Sequence, residues 1–253
     1  MRFFMYNFMA IKSSEQIIGE INQITEATKE YDRSEDMMFF ALVPFTVLEA
    51  VLKGVDRKLV KIGVQNAGLE KHGLVSGELS LPALKEMRVD MIQTGAVDRR
   101  QLSGETNEIA AEKHTSVLRH GFKSILCVGE TKKERENRTA LTMVAKQVAT
   151  GFSEIPEDAF YRTGVVYEPY WTIGEAAEKT KEGYLCRQIK NIRRTLADTQ
   201  PDAPEPLPVF YGGRMDRAEA VKYLKKGLVD GIVIDDRIWE TDAFICVVRE
   251  TMQ

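Results

Sequence analysis

The chain is short of cysteine, histidine and net charge, and each shortage removes a class of protein. Its three cysteines, Cys127, Cys186 and Cys246, are odd in number and scattered. That excludes a disulfide-stapled secreted scaffold and offers no metal-type spacing, so a reducing, cytoplasmic setting is expected, with no metal and no cofactor. A formal net charge of -3 gives no electrostatic case for nucleic acid or an anionic membrane as partner. No apolar run approaches the roughly 20 residues that a membrane span requires. The segment Met1–Tyr6 lacks a small-residue cleavage site and reads as a first strand rather than a signal peptide. Low-complexity tracts and composition breaks are also missing, so residues 1–253 read as a single domain. Four of the eight prolines crowd into the stretch Pro201–Pro208, a surface loop rather than a linker.

What is present is an alternation. Short apolar, β-branched or aromatic runs occur at Phe3–Tyr6, Met38–Val43, Leu59–Val64, Val89–Gln93, Ser124–Val128, Gly164–Tyr167, Leu207–Tyr211 and Gly231–Ile234. Several are apolar almost throughout, the pattern of parallel strands buried on both faces. Amphipathic stretches lie between them. Ile17, Ile18, Ile21 and Ile24 make one stripe behind Ser13 and Gln16, spaced as a capping box; Leu185, Ile189, Ile192 and Leu196 make another. Asp216 and Glu219 are placed to cap a helix that carries Val221 and Leu224 and stops at Gly227. Eight such alternations predict an α/β fold, a single (β/α)₈ barrel whose site lies at the C-terminal ends of its strands.

Several strand ends carry motifs. Val166-Tyr167-Glu168-Pro169-Tyr170-Trp171-Thr172-Ile173-Gly174 resembles the catalytic-glutamate and lid segment of triosephosphate isomerases. Ile125–Thr131 is similar to the family's fifth strand, and Phe210-Tyr211-Gly212-Gly213 to its seventh strand and loop. Asp98-Arg99-Arg100 with Gly104-Glu105-Thr106 resembles the fourth-strand signature. Gly63-Val64-Gln65-Asn66 with Ser76-Gly77-Glu78 resembles the third loop, and that likeness implies a homodimer joined through residues 65–80. The motifs hold their order from about Arg2 to the C-terminus.

The departures from the family pattern fall on its chemistry. The first loop, Asn-x-Lys in the family, reads Asn7-Phe8-Met9, so the electrophilic lysine is lost. The histidine that follows the fourth-strand glycine is replaced by Ala96 after Gly95. Asp235 and Asp236 stand where the eighth loop offers two glycines to a substrate phosphate, and Arg214 replaces the seventh-loop serine. The lid tip, Gly174-Glu175-Ala176-Ala177, keeps one glycine.

The resemblance implies an aldose–ketose isomerase with Glu168 as base, binding substrate through Asn7, Met9, Ala96, Gly174, Gly212, Gly213, Arg214, Asp235 and Asp236. The methionine sulfur is a feeble acceptor and the alanine donates nothing, so both side-chain electrophiles are gone. Removal of one oxyanion donor costs about 10²–10³ in rate, and ordinary triosephosphate isomerase activity is expected to be weak or absent. Two like charges about 4 Å apart near a surface repel by roughly 4 kcal/mol, so Asp235 and Asp236 also oppose phosphate, with Glu175 a third negative group on lid closure. Arg214 either binds an anion or pairs internally with Asp235 or Asp236. A metal at Asp235, Asp236 and Glu175 is the weaker alternative to solvated carboxylates. Cys127 reads as a buried small hydrophobe. His114 and His120 read as solvated on a helix, and His72 as lying near a subunit contact. The runs Lys132–Glu136 and Lys222–Lys226 read as solvated helix faces. Two functions remain: an isomerase or epimerase of a small hydroxy-carbonyl sugar or sugar phosphate, or a catalytically inactive barrel with a binding or regulatory role.

Overall fold

Runs that are apolar at every position can bury both faces only in a sheet covered on both sides, and a closed barrel provides that. The computed structural model describes residues 1–33, 35–69, 76–174 and 177–253. Among them eight strands close in chain order: β1 (Arg2–Asn7), β2 (Met37–Val43), β3 (Lys61–Val64), β4 (Met91–Thr94), β5 (Lys123–Val128), β6 (Thr163–Tyr167), β7 (Val209–Tyr211) and β8 (Gly231–Asp235). Every pairing is parallel, and β8 closes on β1 with Asn7 opposite Asp235. The connections carry α1 (Ser14–Ala27), α2 (Leu48–Gly54), α3 (Leu81–Glu86), α4 (Val97–Leu102), α5 (Asn107–Arg119), α6 (Lys132–Glu136), α7 (Ala140–Phe152), α8 (Glu182–Thr199), α9 (Arg217–Lys225) and α10 (Thr241–Met252).

The core has two parts. One lies between strands and helices, and includes Ile17, Ile21 and Ile24 of α1 and the whole predicted stripe of α8. The other fills the barrel interior with Met5, Leu42, Met91, Cys127, Val166 and Val233 among its members. Cys127 is the buried hydrophobe expected, its thiol pushed well up by burial. The capping boxes at Ser13/Gln16 and Asp216/Glu219 both form, and α9 gives way to Gly227 at φ 63°, a left-handed conformation that glycine adopts at little cost.

Three expectations need correction. Leu59 and Val60 precede β3 because both backbone N–H groups donate to Asp56 in a turn. Leu207 is cut off from β7 by Pro208, which has no N–H for the ladder. His114 is fully buried rather than solvated: it sits inside α5 with Nδ1 at 2.8 Å from Ser124 Oγ and 3.2 Å from Thr94 Oγ1, and Nε2 at 2.9 Å from Thr163 Oγ1. Burial pushes its pKa down to about 3, so it is neutral in the folded protein. His72 and Glu175 lie outside the described residues.

Candidate active site

Side chains alternate along a strand, so the residue two positions beyond an interior residue faces the interior again. One step past Met5, Met91, Val166, Phe210 and Val233 come Asn7, Gln93, Glu168, Gly212 and Asp235. The C-terminal end of the barrel therefore changes from an apolar layer to a polar one. A cleft of about 450 Å³ opens there, and Asn7, Gln65, Gln93, Asp98, Glu168 and Arg237 are among its lining residues.

Glu168 follows β6, and its backbone N–H donates to Val128 O at 2.8 Å. Its backbone passes so close to Gly129 that a Cβ there would lie 2.1 Å from Glu168 O, which fixes glycine at that position. The carboxylate rests against Gly212, where a Cβ would stand 3.3 Å from Oε1. The side chain is only partly accessible from the cleft. Desolvation, then the nearby Asp98 and Asp235, raise its pKa to about 8, with Arg237 pulling the other way. A carboxyl tuned near neutrality is suited to accept and return a proton.

The two aspartates do not act as a free acidic pair. Asp235 is held by Arg237, whose Nε lies 3.0 Å from each carboxylate oxygen and whose Nη2 also donates to it. Asp236, with a side chain 0% exposed, accepts from Met9 N at 2.6 Å and Ala10 N at 2.8 Å, and pairs with Lys12 at 3.0 Å. Of the two alternatives for Arg214, internal pairing with either aspartate is not the one found among the described residues, where Lys12 and Arg237 hold them. Arg214 lies in a pocket beside Glu168, Gly212 and Gly213, and forms no ion pair among the described residues. No cluster that could hold a metal occurs among the described residues.

Asp236 ties the first loop to β8, and Gln65 ties the same loop to β3. Gln65 Nε2 lies 2.8 Å from Asn7 Oδ1, 2.7 Å from Phe8 O and 3.4 Å from Met9 Sδ. The Asn7 oxygen is occupied, and its amide N–H₂ makes no hydrogen bond among the described residues. Met9 and Ala96 both line the cleft but bring no donor side chain into it.

On the lid side, Glu130 is fully buried and accepts from Tyr167 Oη, Trp171 Nε1 at 2.9 Å and Tyr184 Oη at 2.8 Å. Arg135 stacks 3.9 Å above the Trp171 ring and pairs with Glu178 at 3.0 Å. The run Lys132–Glu136 is therefore not simply a solvated face, since one of its members clamps the lid base. Gly174 follows with φ 84°.

Gln65, Gln93, Lys12 and Arg237 carry site geometry that the sequence reading did not assign to them. Gln93 had a signal, a polar residue two beyond Met91 in an apolar strand. Arg237 had one as well, a cation two residues beyond an acidic pair. The comparisons with known proteins agree with the geometry. A family model described as triosephosphate isomerase matches residues 3–251. The triosephosphate isomerase of Fusobacterium nucleatum is 29% identical over 96% of each chain, and that of Alkaliphilus metalliredigens 30% identical over 92% of each. The L-erythrulose-1-phosphate isomerase of Mesorhizobium japonicum is 29% identical over 81% of this chain and 80% of its own.

Proposed function

The chain belongs to the triosephosphate isomerase family, and from that premise we propose that it interconverts an aldose and a ketose among short sugars or sugar phosphates, with Glu168 as the base. The observation that carries this reading is the Glu168 carboxyl just past β6, lining a polar cleft at the barrel's C-terminal end, where burial raises its pKa. Its carboxylate takes a proton from the carbon beside the substrate carbonyl, and negative charge moves to the carbonyl oxygen. The adjacent hydroxyl passes its proton to that oxygen, and reprotonation of the enediolate at the former carbonyl carbon moves the carbonyl by one position. The free amide of Asn7 is one donor available to the oxyanion.

The names of the relatives support a small phosphorylated substrate, with three carbons or four. Here an anionic tail is met by guanidinium groups, Arg214 and Arg237, rather than by glycine amides. Loss of the lysine and histidine at Met9 and Ala96 makes conversion of glyceraldehyde 3-phosphate slow, below that of a standard triosephosphate isomerase by about 10² or more. Assembly as a homodimer through residues 65–80 is part of the same proposal.

A second reading, an inactive barrel that binds or regulates, is favoured by one observation: internal pairs with Arg237 and Lys12 occupy both aspartates of the eighth loop. Isomerisation of glyceraldehyde 3-phosphate and of L-erythrulose 1-phosphate, assayed beside a Glu168→Gln variant purified identically, separates the two. Turnover abolished in the variant supports the isomerase. Equal or absent turnover in both proteins supports the inactive barrel.

A further inference from the structure

We propose that Gln93 is a catalytic residue of this site, its carboxamide donating to the developing oxyanion in place of the electrophiles lost at Met9 and Ala96. The inference rests on the isomerase reading and extends it to a residue outside the family's recognised motifs.

Gln93 is 5% exposed, on a strand whose preceding inward residue, Met91, packs in the apolar barrel interior. Burying a carboxamide without partners is unfavourable, and neither Gln93 amide atom is among the buried unpartnered atoms, so the group opens into the cleft. A carboxamide retained there for structural reasons would be hydrogen-bonded to neighbouring side chains or loops. That is the case for Gln147, equally buried, which bonds both the N–H and the carbonyl of Gly129. It also holds for Gln65, whose donor end is committed to the first loop. The Gln93 side chain makes no hydrogen bond among the described residues, and it lines the same cleft as Asn7, Ala96 and Glu168. The strand order places β4 across the barrel from β8 and two strands from β6, so donor and base approach a bound substrate from different sides.

The chemistry is consistent with that placement. Isomerisation needs a neutral or cationic donor where negative charge appears, and a carboxamide supplies N–H without a competing proton equilibrium. Asn7 and Gln93 together form a hole of two neutral amides. Such a hole suits a carbonyl flanked by hydroxyls, because the Gln93 amide also presents an oxygen able to accept from a substrate O–H.

The test uses Gln93→Leu, which removes the amide at similar size, and Gln93→Glu, which keeps the size but replaces the N–H₂ donor by an ionisable carboxyl oxygen. Both are compared with wild type for kcat, KM, melting temperature and calorimetric affinity for glycolohydroxamate, a small planar mimic of an enediolate. The expected result is a kcat lower by about 100-fold or more in both variants. KM should change by less than about threefold, glycolohydroxamate affinity should fall by about tenfold or more, and the melting temperature of Gln93→Leu should be at least that of wild type. Wild-type kcat and hydroxamate affinity in Gln93→Leu would overturn the inference and leave Glu168 as base untouched. Lowered melting temperature with a proportionate loss of active protein would also overturn it, in favour of a structural role. Absence of turnover and of hydroxamate binding in the wild type would overturn the isomerase reading and this inference with it.

Discussion

In the proposed reaction the Glu168 carboxyl is the base, and its protonation also bears on stability. With a pKa of about 8 it is mostly protonated at neutral pH in the free protein. Base catalysis therefore strengthens as pH rises, and kcat/KM is expected to climb to a plateau above about 8. Arg237 opposes the shift, so Arg237→Ala moves that midpoint to higher pH, and a pH–rate profile of both proteins checks it. The same raised pKa has a stability consequence. Between the carboxylate's ordinary value of 4.5 and about 8, the folded protein holds a proton that the unfolded chain has released. Stability from this group is thus present at low pH and lost as pH rises through about 8. Glu168→Gln should melt above wild type at pH 9, with the difference closing by pH 5. At the neighbouring position, Asp236→Ala removes the acceptor of two backbone amides and leaves Lys12 facing only Glu20. A loss of about 3 kcal/mol in denaturant unfolding is the expected result.

Elements show where sequence patterns are sufficient and where they are not. The eight strands were legible because runs such as Met38–Val43 are apolar on both faces, and two helix starts because Ser13/Gln16 and Asp216/Glu219 are local devices. Short helix α4 was not read, because it is built mainly from polar residues and buries only Val97. The misreading of His114 has a definite cause. A histidine on a helix looks solvated until the strands beneath it are known to present Thr94, Ser124 and Thr163, hydroxyls that are far apart in sequence. Its pKa of about 3 against 6.5 carries a prediction. Below 6.5 the unfolded chain binds a proton that the folded α5 excludes, so stability falls as pH drops toward 3. The slope from this one group is about 1.4 kcal/mol per pH unit, and it should be missing in His114→Gln measured by urea unfolding from pH 6 to pH 4.

For the whole molecule, closure of the barrel turns eight strand ends into one ring and gives the chain a site. The sequence showed that ring through its motifs, and Glu168, Gly212, Gly213 and Asp235 stand at strand ends around one opening. Who pairs with whom across the ring depended on side-chain reach, which a single sequence does not encode. Arg237 and Lys12 reached the aspartates ahead of Arg214, and Gln65 bridged β3 to the first loop. If the molecule is a homodimer, sedimentation velocity should give about twice the mass of the 28.6 kDa chain, and a charged substitution in residues 65–69 should shift it toward monomer.

The most direct test of Glu168 as base follows the proton itself. Dihydroxyacetone phosphate and L-erythrulose 1-phosphate are incubated with the protein in deuterium oxide, and proton NMR reads the hydrogens on the carbon beside the carbonyl. Exchange for deuterium in the wild type, reduced by about 10³-fold or more in Glu168→Gln, is the outcome this site predicts. Exchange at the same rate in both proteins, or in neither, would contradict it.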